Sequence, residues 1–309
     1  MRILVLGAGA IGGYFGGRLV ESGADVTFLV RARRGAALAA RGLVVKSPVG
    51  DIALPVRTIA AGEIAAPFDL VLLSSKAYDL EDAMATIAPA LGRESMVLPL
   101  LNGMQHLDRL SERFGAGRVL GGACYIGVTL DAAGVIQHGG EMQSLIFGEL
   151  DGERTARVEA LAALFARTKV AATIAADIRQ AMWEKLVMLA ALAATTTLTR
   201  ATVGEIVAVP GGETFMLDAL TECERIAAAE DHPSSAPALA RAKSLLTARG
   251  SAFAASMMRD LVAGGATEGD HIIGDLVHRA ERHGRLVPIL SAAYCNLAIH
   301  EARRRSAPA

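Results

Sequence analysis

Cysteine, aromatic residues and an excess of charge of either sign are all scarce in this 309-residue chain, and each scarcity removes a class of protein. The three cysteines, Cys124, Cys223 and Cys295, are too few and too scattered for a disulfide framework or a thiolate metal site, which fits a reducing, cytoplasmic setting. The seven histidines show no clustered ligand spacing either, so no metal is expected. With 31 Lys and Arg against 32 Asp and Glu the net charge is -1, and nothing in it calls for nucleic acid or an anionic membrane as partner. The short Arg303-Arg304-Arg305 run reads as the solvated end of a helix. No signal-peptide pattern is visible, because the first apolar segment is broken by glycines and no charged leader precedes it. The least polar stretch, Leu186 to Leu198, contains Thr195, Thr196 and Thr197 and falls short of the ~20 apolar residues of a membrane span, so it is expected to be a buried helix.

What is abundant is small and apolar. Hydrophobic residues make up 52% with a mean hydropathy of +0.37, yet aromatics are only 4%, the mark of a compact, alanine-rich, helix-rich chain. Its length is uncomfortable for one core and suggests two domains.

Glycine is concentrated where it carries information. A short apolar run, Arg2 to Leu6, breaks into Gly7-Ala8-Gly9-Ala10-Ile11-Gly12, then Gly13, Gly16 and Gly17, and a second strand follows from Asp25 to Val30. Strand, glycine loop and helix in this order form a dinucleotide-binding pattern. Gly7 permits the tight turn, Gly9 lets backbone approach a pyrophosphate, and Gly12 lets the helix pack on the sheet. The diphosphate would sit on free N–H groups at the helix N-terminus, where the dipole favours negative charge. After the second strand, versions that bind NAD place an acid on the ribose. This chain reads Arg31-Ala32-Arg33-Arg34 instead, with no carboxylate until Asp51. Guanidinium groups bind a 2′-phosphate through forked, charge-assisted hydrogen bonds, so NADP(H) is the expected cofactor; a solvated basic start to the next helix is the plainer reading.

Weak strand signals at Leu43 to Lys46 and Ile52 to Leu54 precede a convincing buried strand, Leu70 to Ser74. Met96 to Pro99 and Val119 to Cys124 continue the series, with crossover helices around Leu80 to Leu91 and Leu107 to Phe114. Val135 to His138 and Ser144 to Glu149, parted by Gly139-Gly140, are expected to pair antiparallel at the edge of the same sheet. Arg154 to Thr168 has helical periodicity. From about Asp177 only alanine-rich helices follow, broken at Pro210-Gly211-Gly212, Pro233, Pro237, Gly250, Gly264-Gly265 and Pro288. The expected fold is α/β: a Rossmann-type doubly wound sheet over 1–175, then an all-helical domain over 176–309, with the cleft between them as the default substrate site.

Four residues stand where chemistry is expected. Lys76 ends the central strand in Ser74-Ser75-Lys76-Ala77-Tyr78, at the carboxyl edge where such sheets bind ligands. Lys185 lies in the apolar segment Trp183-Glu184-Lys185-Leu186. Burial can tune a lysine into a proton donor, but on spacing alone either could be a snorkelling surface lysine. Asn102, in Leu101-Asn102-Gly103-Met104, can hold a ribose or substrate oxygen or simply form an Asn-Gly turn. Glu268, in Thr267-Glu268-Gly269-Asp270, is equally a first-turn carboxylate serving the helix dipole.

Taken in order, these segments together with Ser256-Met257-Met258-Arg259-Asp260 resemble the ketopantoate reductase family, the NADPH-dependent 2-dehydropantoate 2-reductases of pantothenate biosynthesis. The likeness runs over nearly the whole chain. It implies that Lys185 donates the proton and binds the substrate carbonyl, that Glu268 assists, and that Ser256 contacts the substrate carboxylate. It also implies that Lys76 and Asn102 line cofactor and reaction centre, that Asn102 serves substrate as well, and that Gly127 adds a backbone contact to the cofactor. The family usually carries asparagines four and eight residues after the lysine; here Leu189 and Ala193 stand there, and Val203 replaces a third polar position. Thr196, Thr197 or Thr199 could compensate with hydroxyls. The expected function is therefore reduction of a small-molecule 2-oxo acid, nominally 2-dehydropantoate. Two alternatives are a paralogue for a more apolar 2-oxo acid and a non-catalytic NADP(H)-binding sensor, against which Lys185 and Glu268 argue because binding needs neither. A homodimer through the apolar helical region is compatible with its composition.

Overall fold

The structure is a computed structural model that describes residues 1–306. It divides into two compact units: Met1–Leu101 with His106–Ala181, and Asn102–Gln105 with the chain from Met182 onward. The division thus falls inside a helix at Ala181/Met182 rather than ahead of it at 175, and a four-residue loop from the α/β half of the sequence groups with the second unit.

The strands are β1 (Arg2–Leu6), β2 (Asp25–Leu29), β3 (Leu43–Lys46), β4 (Ile52–Leu54), β5 (Arg57–Ile59), β6 (Phe68–Leu73), β7 (Leu91–Pro99), β8 (Leu120–Leu130), β9 (Ile136–Glu149) and β10 (Ala171–Ile174). Between them lie α1 (Ala10–Glu21), α2 (Ala32–Arg41), α3 (Leu80–Ile87), α4 (Gln105–Phe114) and α5 (Ala156–Phe165). One sheet runs β5-β2-β1-β6-β7 and is parallel throughout. Its central strands are apolar on both faces: Ile3, Leu4, Val5, Leu70, Val71, Leu72 and Leu73 are all fully buried.

The hairpin expected at the edge of this sheet belongs instead to a second, mixed one. β9 is a single strand through Gly139 and Gly140, antiparallel to β8 and parallel to β3 and β10, and among the described residues only an isolated bridge between Val97 and Val119 joins the two sheets. β5 and β10 escape notice in the sequence because they are three and four residues long and partly exposed. Helix α1 packs against strands of both sheets, and its glycines make this possible. A methyl group on Gly13 would strike Ile136 of β9, one on Gly16 the ring of Phe28 of β2, and one on Gly17 the side chain of Leu43 of β3. The extra glycines beyond the loop are therefore packing residues.

The second unit is helical: most of α6 (Ile178–Thr199), then α7 (Val203–Val207), α8 (Gly212–Ala229), α9 (Ala236–Leu246), α10 (Ser256–Val262), α11 (Asp275–Arg282) and α12 (Pro288–Ser306). At 22 residues α6 is longer than expected and would pass as a membrane span by length and composition, but 67% of its most apolar window is buried inside the protein. Its threonines are tolerated because each hydroxyl donates to the carbonyl four residues back: Thr195 to Ala191 at 2.7 Å, Thr196 to Leu192 at 2.6 Å and Thr197 to Ala193 at 2.7 Å. The start of α12 is capped from α8, where the buried Glu222 carboxylate accepts from the amides of Ile289 and Leu290 at 3.0 and 2.9 Å. Glu222→Ala leaves both amides unpartnered and is expected to cost about 1 to 2 kcal/mol, the scale of a lost helix cap. Thermal unfolding followed by circular dichroism checks it; an unchanged Tm would mean that water replaces the carboxylate.

Candidate active site

In the first unit the glycine loop is strained and packed where the sequence pattern requires, and open where a ligand would lie. Gly7 has φ +88° and donates to Leu29 O at 2.9 Å. A side chain on Gly12 would collide with Ser74 Oγ and the carbonyl of Gly7. Ser74 itself donates to Leu6 O at 2.7 Å, tying β6 to the end of β1. Gly9 differs: it is the N-cap of α1 with no side-chain cap, and no atom lies within 4 Å of where its Cβ would be. Ala10 and Ile11 form the first turn, so the helix offers amide N–H groups beside an open cradle, which fits a dinucleotide diphosphate. Ala8 is buried, and its carbonyl accepts from Arg34 Nε at 2.9 Å while Arg34 Nη1 donates to Gly134 O at 2.9 Å.

Arg31 is the N-cap residue of α2, with a side chain 84% exposed. Its Nη2 lies 3.4 Å from Asp79 Oδ2, so a carboxylate does stand beside it, one supplied 48 residues away and hidden from a local reading. Lys76 follows β6 and heads the short 3-10 turn Ala77–Asp79, half-buried. Gly127 is exposed at the register shift of β8, between Ile126 and Val128. Among the described residues no cluster of three or more His, Cys, Asp or Glu could hold a metal.

The second unit brings two of the candidate residues into direct contact. Lys185 Nζ, on α6, donates to Asn102 Oδ1 at 2.8 Å, and Asn102 itself sits in the turn ahead of α4. The turn that carries Lys185 is braced on both sides. The buried Trp183 stacks on His232 with centroids 5.9 Å apart, and Arg279 lies over the indole at 5.3 Å. Arg279 is held in turn by Asp275 at 2.9 Å and by Glu230. Glu184 accepts from the amide of Ser235 at 2.9 Å.

Glu268 is buried and lies just ahead of a π-helical turn, Asp270–Gly274. Three residues on, His271 is buried and within electrostatic reach of Glu268, and its Nδ1 lies 3.1 Å from Gln105 Oε1. Burial holds its imidazole below the ordinary histidine pKa, against the pull of Glu268, Asp275 and Asp270. Neither His271 nor Gln105 carries a motif that a sequence reading could have used. Ser256 opens α10 on an exposed position, and Ala255 rather than Ser256 is the N-cap.

The three departures, two on α6 and one at the start of α7, separate. Leu189 is half-buried on the face of Lys185, one turn on, whereas Ala193 is 1% exposed and Val203 0%, both packed into the unit. Thr196 and Thr197 donate their hydroxyl protons to their own helix and Thr199 donates to Thr195 O at 2.8 Å, so none has a hydroxyl proton left to replace the amide donors.

The loop geometry separates two glycines experimentally. Gly12→Ala overpacks the joint with Ser74 and is expected to cost about 1 to 3 kcal/mol. Gly9→Ala, which meets nothing, should leave Tm unchanged and act only on dinucleotide affinity. Calorimetric unfolding of both variants checks this, and equal losses of stability would contradict it.

With the geometry in place, comparison with known proteins gives the family. A family model described as Ketopantoate reductase PanE/ApbA matches residues 3–152, and its C-terminal counterpart matches 177–301. An uncharacterized oxidoreductase of Bacillus subtilis, YkpB, is 37% identical over 98% of this chain and 100% of its own. A 2-dehydropantoate 2-reductase of Halobacterium salinarum is 33% identical over 94% of this chain and 95% of its own. The crystal structure of 2-dehydropantoate 2-reductase from Geobacter metallireducens superposes with a TM-score of 0.89 at 29% identity, covering 97% of this chain and 99% of that one. Fold and likeness together define an oxidoreductase with a Rossmann-type first half and a helical second half. The chain belongs to the ketopantoate reductase family.

Proposed function

We propose that this oxidoreductase reduces a 2-oxo acid to the 2-hydroxy acid with NADPH, nominally 2-dehydropantoate to pantoate in pantothenate biosynthesis. The observation that carries the reading is the 2.8 Å contact between Lys185 Nζ and Asn102 Oδ1, an oriented proton donor in a buried helical unit. When bound on the glycine loop, the nicotinamide supplies a hydride. Lys185 then has two tasks: its N–H bonds stabilise the carbonyl oxygen as negative charge develops, and one of its protons ends on that oxygen. Asn102 takes up one N–H bond of the lysine and so orients the ammonium group. Glu268 contributes negative charge on the substrate side, and Ser256 and Lys76 serve the carboxylate and the cofactor. Gly7, Gly9 and Gly12 with Ala8, Ala10 and Ile11 seat the diphosphate, and Arg31 binds the 2′-phosphate.

Removing the donor in Lys185→Ala is expected to cut turnover by roughly 10² to 10⁴ while NADPH affinity holds. Steady-state oxidation of NADPH with a panel of 2-oxo acids, alongside a binding titration, measures both. Near-normal turnover would pass the role to Lys76. Arg31→Ala should weaken NADPH by about 1 to 3 kcal/mol and NADH much less, since only the former carries the phosphate. Equal losses in the titration would remove Arg31 from cofactor choice.

A second reading, a paralogue selective for an apolar-tailed 2-oxo acid, is favoured by Leu189 on the Lys185 face and by threonine hydroxyls already satisfied within α6. Leu189→Asn should move preference toward 2-dehydropantoate, whereas Ala193→Asn should chiefly destabilise the packed helix. A wild-type protein that already prefers 2-dehydropantoate over apolar analogues in kcat/KM would overturn this second reading.

A further inference from the structure

We propose that His271 is a positioning residue for the Lys185–Asn102 pair, acting by clamping the loop Asn102–Gln105 at both ends. The inference rests on the reading of Lys185 as proton donor and extends it to a residue that touches neither substrate nor cofactor in that reading. Asn102 can orient Lys185 only if its own loop is immobile, and this loop is a short excursion at the start of α4 with an Asn-Gly turn at its centre. Gly103 has φ +90°, a conformation that few side chains tolerate, and a Cβ there would stand 3.0 Å from His271 Cδ2 and 3.1 Å from Nε2. The imidazole therefore lies flush against the bare backbone. Its Nδ1 is 3.1 Å from Gln105 Oε1 at one end of the loop, and the ring also bonds the backbone of Asn102 at the other.

The clamp is itself well anchored. His271 is 7% exposed and sits in the π-helical turn Asp270–Gly274, where the wider turn displaces the ring relative to an α-helical course. Gly274 in the same turn packs on the ring of Tyr294 from α12, whose hydroxyl donates to Asp270 Oδ1 at 2.7 Å. The charged groups facing the imidazole, Glu268, Asp270 and Asp275, all come from its own stretch of chain, and burial outweighs their pull, so the ring is neutral at neutral pH. A neutral ring has one N–H donor and one acceptor nitrogen: it donates to the Asn102 backbone carbonyl and, with the Gln105 side-chain amide turned so that its NH2 faces Nδ1, accepts from Gln105, without adding a second positive charge.

The test compares His271→Phe, which keeps a ring against Gly103 but no polar contact, with His271→Asn, which restores a group able to reach Gln105. The first readout is the NMR titration of the Lys185 side-chain amine in the full-length protein without substrate. The second is kcat and KM with NADPH and a 2-oxo acid. We expect His271→Phe to shift the Lys185 titration and lower kcat by roughly 10-fold to 100-fold with KM for NADPH unchanged, and His271→Asn to recover most of the loss. Gln105→Leu, which removes one clamp contact, should reproduce part of both effects and stands in if His271→Phe does not fold. A fall in Tm with kcat and the Lys185 titration both unchanged would overturn the proposal, as would a fall in kcat that leaves the titration where it was. Absence of turnover by the wild-type protein on every 2-oxo acid would instead sink the functional reading, and the Lys185 titration would still decide the role of His271.

Discussion

Helix α1 meets strands of two sheets through glycines at its points of closest approach, with Tyr14, Phe15 and Leu19 buried between them, and the first unit is built around that constraint. Gly13 against Ile136, Gly16 against Phe28 and Gly17 against Leu43 let one helix approach strands of two different sheets at once. Each glycine costs the helix roughly 1 kcal/mol of propensity relative to alanine, and dispersion contacts along both faces offset it. The cradle beside Gly9 is the N-terminal end of this same helix, so its position is set by how closely α1 can be squeezed. Gly12 against Ser74 fixes the last degree of freedom at the loop.

The second unit solves a different problem, holding a lysine in an apolar helix without letting it escape to solvent. Trp183 gives the turn a large, rigid anchor between His232 and Arg279. The guanidinium over the indole is buried but compensated by Asp275 and Glu230, a pairing without which the buried charge would be strongly destabilising. Asn102 meets Lys185 from 83 residues earlier in the chain, and His271 reaches Gln105 at the end of the same segment. The charged groups named in this chain of contacts each have a partner, which makes the arrangement rigid as well as tolerable.

Much of this was legible locally. The order of strand, glycine loop and helix, the buried run Leu70 to Leu73 and the loss of strand signals after Asp177 all follow from period and composition, and each recurs in the structure. The sequence misjudged Val135–His138 and Ser144–Glu149, which form one strand, β9, rather than a hairpin, and it placed Val119–Cys124 in the first sheet although β8 pairs with β9 in the second, because alternation shows that a strand has two faces and says nothing of which edge it joins. It also gave Ala193 and Val203 the same standing as Leu189, although only Leu189 keeps part of its surface.

What the sequence by itself determined is the set of positions whose constraint is carried within a few residues: the positive φ of Gly7, the bare N-terminus of α1, the apolar course of α6. What only the tertiary structure decided is which distant side chains meet. Asp79 reaches Arg31 across 48 residues, Lys185 finds Asn102 across 83, and His271 finds Gln105 across 166. Backbone conformation and hydrophobic period are local properties and leave their trace in adjacent letters. A hydrogen bond between remote residues leaves none, because its geometry exists only after the chain has closed the intervening loop.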